Sequence, residues 1–82
     1  MTNIIFTRAI INMAIFLEFS DDVTVNEDAS IEALEQLALD LQSMTNIEKK
    51  EFRKSIFELS NEYAGDRKEF VLSFPEAFGL LE

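Results

Sequence analysis

NEDASIEALEQLALDLQS, Asn26 to Ser43, reads as one amphipathic helix, and its spacing decides the class of the fold. Ile31, Leu34, Leu37, Ala38, Leu41 and, just beyond, Met44 recur at three- and four-residue intervals, the period of a helix face. Asp28, Glu32, Glu35, Gln36, Asp40 and Ser43 fall on the opposite side. Asn26 is suited to cap this helix, and Glu27 and Asp28 place negative charge beside its unpaired N-terminal amides. The helix is therefore expected from Glu27 to about Gln42. One residue breaks the pattern: at about 100° per residue, Leu39 lands among Glu32, Gln36 and Ser43, in the middle of the polar side.

Working outward toward the C-terminus, Thr45-Asn46-Ile47-Glu48 matches the capping box, in which Thr and Glu each satisfy the other's backbone amide. A third helix should start at Asn46 and end near Ala64, because Gly65 supplies the left-handed residue that commonly follows a helix. Phe52, Ile56, Leu59 and Tyr63 form its apolar stripe, with Lys49, Lys50, Arg53 and Lys54 outside. Phe57 sits off the stripe, so it either packs under the C-terminal segment or is exposed. Asp66 can cap a short fourth helix of about Arg67 to Leu72. Ser73-Phe74-Pro75-Glu76 then offers a second capping box, with Pro in a first turn where its missing amide is harmless, and the last turn stops at Gly79.

Toward the N-terminus, Ser20 to Thr24 reads as a loop, and Ile4 to Leu17 reads as a helix. Its polar positions Thr7, Arg8 and Asn12 make one narrow stripe on an otherwise apolar cylinder, the pattern of a central helix packed on several sides. A short strand over Ile4–Thr7 is the alternative, but the run is too long and too weakly alternating for a strand alone. Arg8, Asn12 and Glu18 interrupt the apolar run 4–19 before it reaches the roughly 20 residues a membrane span requires. Uncharged side chains at Met1-Thr2-Asn3 and bulky Leu17-Glu18-Phe19 also fit a secretory signal poorly.

The expected fold is thus all-α, a compact antiparallel bundle of about four helices in a single domain, residues 1–82. Eighty-two residues leave no room for a second core, and 48% apolar content is too high for disorder. With neither Cys nor His, the chain lacks thiolate chemistry, the commonest general base and the commonest metal ligand. It is expected to be no enzyme and to hold no cofactor and no metal. The absence of Cys also suits a cytoplasmic setting.

Charge is unevenly distributed. From Glu18 through Glu48 stand nine acids (Glu18, Asp21, Asp22, Glu27, Asp28, Glu32, Glu35, Asp40 and Glu48) and no base, while the remainder balances seven acids against seven bases. All of the net −9 therefore lies between Glu18 and Glu48, most of it in one loop and one helix. Such a surface repels nucleic acid and attracts a cationic protein. Asp21, Asp22, Asp28, Glu32, Glu35 and Asp40 around Leu39 form the candidate partner-binding surface: an apolar anchor supplies desolvation energy, and surrounding charge supplies association rate and selectivity. The plainer reading is a solvated acidic face that keeps a small protein soluble. A calcium loop counted from Asp22 fails, since Glu27 takes the sixth position where Gly is needed and Ala33 the twelfth where Glu is needed. Gly65 and Gly79 stand alone, so no phosphate loop is present, and carboxylates on an open helix face lack the cleft that would raise a pKa for acid/base work.

Size, acidity and helix count resemble acyl carrier proteins, but Asp28-Ala29-Ser30-Ile31 inserts an Ala into their Asp-Ser-Leu attachment motif. A closer resemblance lies elsewhere. Phe16-Leu17-Glu18-Phe19-Ser20-Asp21-Asp22, the segment from Asn26-Glu27-Asp28 into Ala33-Leu34-Glu35-Gln36-Leu37, and Ser73-Phe74-Pro75-Glu76-Ala77-Phe78-Gly79-Leu80 resemble small acidic immunity proteins of bacterial polymorphic-toxin loci, the Rhs or contact-dependent kind. The resemblance implies a cytoplasmic protein that binds a cognate toxin with a basic surface, such as a nuclease, and blocks its active site or a nearby surface. No functional residue is carried over from it. The alternatives are two: a self-associating helical adaptor or regulator that buries an apolar surplus including Phe57, Phe74 and Phe78 between copies, as in a homodimer, and an acyl-carrier-like protein modified on Ser30.

Overall fold

In the computed structural model, which describes residues 3–21 and 23–81, each of the first three helices begins at a side-chain cap. Asn3 Oδ1 accepts the Ile5 amide at 2.8 Å to open α1 (Ile4–Phe19), and Asn26 Oδ1 accepts the Ala29 amide at 3.1 Å to open α2 (Glu27–Gln42). The predicted capping box opens α3 (Asn46–Leu59): Glu48 N–H donates to Thr45 Oγ1 at 3.1 Å, and Thr45 N–H donates to Glu48 Oε1 at 2.8 Å. A 3-10 turn at Ser60–Glu62 ends α3 earlier than the sequence indicates, and Gly65 does adopt positive φ, as the first residue of α4 (Gly65–Ala77). The result is an all-α bundle, with no strand among the described residues.

The fourth helix departs from expectation. Instead of breaking at Ser73, α4 runs through Ser73-Phe74-Pro75 to Ala77. Ser73 Oγ donates back to the Phe70 carbonyl at 3.1 Å and caps nothing. The i, i+4, i+8 phenylalanines explain the continuity: Phe74 and Phe78 stack at 3.9 Å, and Phe70 meets Phe74 edge-on at 5.9 Å. Burial of Phe74 and Val71, both fully enclosed, holds the helix across Pro75, which lies in its last turn and there removes a single backbone bond. Termination follows the expected glycine. Leu80 N–H reaches the Pro75 carbonyl at 2.8 Å and Gly79 N–H the Glu76 carbonyl at 3.2 Å, the paired bonds of a Schellman cap, with Leu80 sealed inside.

The core joins Ile11, Ala14 and Ile15 of α1, Leu41 of α2, Phe52, Ile56 and Leu59 of α3, and Val71, Phe74, Phe78 and Leu80. Here α1 meets each of the other helices, whereas α2 rests chiefly on α1. Its far end is tied down by Gln42, whose Nε2 donates to the Phe78 carbonyl at 2.9 Å. Two expectations about packing are corrected. First, α1 buries only one side. Thr7 is fully buried, with Oγ1 donating to the Asn3 carbonyl, while Arg8 and Asn12 turn toward the 3-10 turn. Arg8 grips Glu62 through Nε and Nη2 at 2.9 and 2.6 Å, and the Tyr63 hydroxyl donates to Asn12 Oδ1. The remaining side, with Ile5, Phe6, Ala9, Met13 and Phe16, is open. Second, the apolar face of α2 is only partly covered: Leu41 is buried, Leu34, Leu37 and Ala38 are half-buried, and Ile31 is 48% exposed. Four short helices lack the material to enclose two strongly apolar ones. Phe57 is exposed, whereas Arg53 is half-buried and donates to the Leu80 carbonyl at 2.8 Å.

Candidate partner-binding site

The candidate acids begin in the loop between α1 and α2. Asp21 Oδ1 accepts both the Thr24 amide and the Thr24 hydroxyl at 2.9 Å, and these bonds, the amide first, hold the Asp21 carboxyl below the usual aspartate range. Asp21 therefore stays charged and fixes the turn that leads into α2. Asp22 lies outside the described residues.

Along α2, Asp28, Glu32, Glu35 and Leu39 are all exposed, and their spacing of four, three and four residues sets them on one ridge. Leu39, at 59% exposure, occupies the outward position its place on the helix indicates. Asp40 does not join that ridge. One residue further on, it turns about 100° away, accepts a bond from Gln36 Nε2 at 3.0 Å, and borders a groove with Met13, Leu17, Ala33, Gln36 and Leu37. The six described candidates are therefore divided between the turn, the ridge and the α1 side of α2.

Beside the ridge the incomplete packing of α2 leaves an apolar trough. Ile31, Leu34, Ala38, Ala77 and Phe78 line it, with Glu18 and Glu35 among its walls. It continues toward the α1–α2 loop as a cavity of about 400 Å³, bordered by Leu17, Val25, Ser30 and Glu27. Sequence reasoning placed Ile31 on the core-facing stripe and gave Glu18, Glu27 and Ala77 no place in the candidate site. Periodicity gave no warning, because the trough arises from how α4 ends against α2, a contact between segments far apart in the chain. A helix side that is acidic along its ridge and apolar in the adjoining trough can receive an apolar side chain flanked by Lys or Arg.

The arrangement offers little for catalysis by carboxylates: Glu32 and Glu35 stand on an open surface. Among the described residues, no three Asp or Glu side chains converge to hold a metal ion, and no helix is long and apolar enough to cross a membrane. No protein-family model, curated protein or solved structure matches this chain.

Proposed function

We propose that this chain is a cytoplasmic immunity protein that binds and neutralises a basic bacterial toxin, a nuclease, through the acidic ridge of α2. The observation that carries the reading is the exposed row Asp28, Glu32, Glu35 and Leu39 beside an apolar trough. Nuclease toxins present cationic surfaces to phosphate backbones. A carboxylate ridge competes for such a surface, and long-range attraction speeds the encounter. Leu39 and the trough add the apolar burial that charge alone does not supply. Neutralisation of this kind requires occupancy only, so the protein acts without a catalytic group or a cofactor.

Affinity capture of the tagged protein from its host's lysate, at low and moderate salt with mass spectrometry of the retained material, tests the proposal. The expected result is one basic protein held stoichiometrically and fading as salt rises, toxic when expressed alone and harmless when co-expressed with this chain. Recovery only of biosynthetic enzymes, with a mass increase on Ser30, would replace immunity with the carrier reading.

A further inference from the structure

We propose that two copies of this chain pair through the open side of α1, antiparallel about a two-fold axis. Ile5, Phe6, Met13 and Phe16 are 63%, 67%, 57% and 47% exposed, and Ala9 and Asn12 beside them are exposed as well. Phe6, Ala9, Met13 and Phe16 follow the three-four-three spacing of a coiled-coil seam. They are also self-complementary. With α1 antiparallel to its copy and position 11 on the axis, Phe6 opposes Phe16 of the second copy and Ala9 opposes Met13. Aromatic rings then meet aromatic rings, and the smallest residue receives the long, adaptable one.

Charge selects a second copy as the occupant, and selects the antiparallel direction. The seam itself carries no charged side chain: of the two charged residues on α1, Arg8 is engaged by Glu62 and Glu18 lies across the helix, while Asp40 of α2 borders Met13 at the seam's edge. Like-charged copies meet at least cost through such a face. A parallel pair would set the two acidic α1–α2 loops side by side, whereas the antiparallel pair separates them by about 24 Å, the length of α1, some three Debye lengths at physiological salt. The helix dipoles oppose one another in the same arrangement. A membrane surface fits less well, because helices that lie in an interface carry Lys and Arg on their polar side, and here only Arg8 is basic. The open side chains offer on the order of 600 Å² per copy against roughly 800 Å² per partner in a standard interface, the size of a modest, reversible dimer. Both α2 ridges stay free in such a dimer.

Sedimentation equilibrium over a range of concentrations, at low and high salt, reads the proposal. The wild type should dimerise, and more tightly at high salt, because screening relieves repulsion between the acidic copies; capture of a basic partner has the opposite salt dependence, which keeps the two proposals separable. Ala9→Glu should weaken the dimer by about tenfold or more with an unchanged helical circular dichroism spectrum, whereas Asn46→Glu, adding the same charge at an exposed position off the seam, should have little effect. The chain lacks cysteine, so direction can be read by oxidation. Ala9→Cys mixed with Met13→Cys should link, and Ile5→Cys alone should not, its two copies lying about 18 Å apart along the seam. A monomer at every concentration, a dimer indifferent to Ala9→Glu, or self-linking by Ile5→Cys would overturn the proposal. A monomer that co-sediments with neutral lipid vesicles would assign the face to a membrane instead.

Discussion

Gly79 and Gly65 share a positive φ, 71° and 60°, but their surroundings differ. A Cβ on Gly79 would stand 2.7 Å from Gln42 Nε2, the amide that ties α2 to the end of α4, whereas one on Gly65 would meet nothing within 4 Å. Gly65→Ala should therefore cost only the backbone term of about 1–2 kcal/mol, and Gly79→Ala should cost more because it also displaces Gln42. Urea unfolding of both variants checks the order. Leu39 has a different significance, since it is exposed and no core contact depends on it. Leu39→Asp should keep the wild-type unfolding free energy in urea to within about 0.5 kcal/mol yet weaken toxin binding by more than about 1 kcal/mol. Titration calorimetry showing full affinity would remove Leu39 from the interface. Gly79 and Leu39 were legible in the sequence, because a left-handed stop and a Leu out of phase with its stripe are local signals; Gly65 takes the expected positive φ but opens α4 instead of ending α3. Thr7 was not: its polar type suggests a surface position, but its hydroxyl is satisfied by the Asn3 carbonyl of the same turn, so the residue is buried at little cost.

At the scale of elements, the capping box and the Arg8–Glu62 pair make stability depend on acid carboxyls. Glu48 is held below its ordinary value of 4.5, first by the Thr45 amide, and Glu62 is likewise held down by the hydrogen bonds from Arg8. A carboxyl whose pKa is lower folded than unfolded adds stability above the ordinary value, and that contribution disappears as pH falls through the folded one. The stability gap between wild type and Glu62→Gln should therefore be full at about pH 7, shrink as pH falls below about 4.5 and vanish only once the folded carboxyl is protonated; a gap that does not shrink on acidification, by denaturant unfolding, would contradict the pairing. The starts of α2 and α3 were well read because caps are local chemistry, whereas α4 begins at Gly65, after Ala64, without the expected Asp66 cap. The run of α4 through Pro75 was misread for the converse reason. Ser-Phe-Pro-Glu is a sound local start signal, and it loses to tertiary burial of Phe74 and Phe78, which no four-residue motif reports. The openness of α1 and of Ile31 was hidden likewise, since periodicity shows that a face is apolar and not whether a neighbour exists to cover it.

For the whole molecule, net charge is the governing quantity. With −9 charges concentrated from Glu18 through Glu48, self-repulsion should lower stability at low ionic strength. Added sodium chloride should raise the thermal midpoint at neutral pH, despite weakening the exposed Arg8–Glu62 pair. A midpoint that falls with salt would mean that specific ion pairs outweigh the acidic surface. The same field underlies the proposed recognition of a cationic toxin, so the most direct measurement is the association rate of the captured toxin with wild type and with the Glu32→Lys, Glu35→Lys, Asp40→Lys variant. At low salt the variant should associate about tenfold or more slower, and the difference should shrink as salt rises. Equal rates at low salt would place the acidic side of α2 away from the partner and contradict the proposed mode of neutralisation.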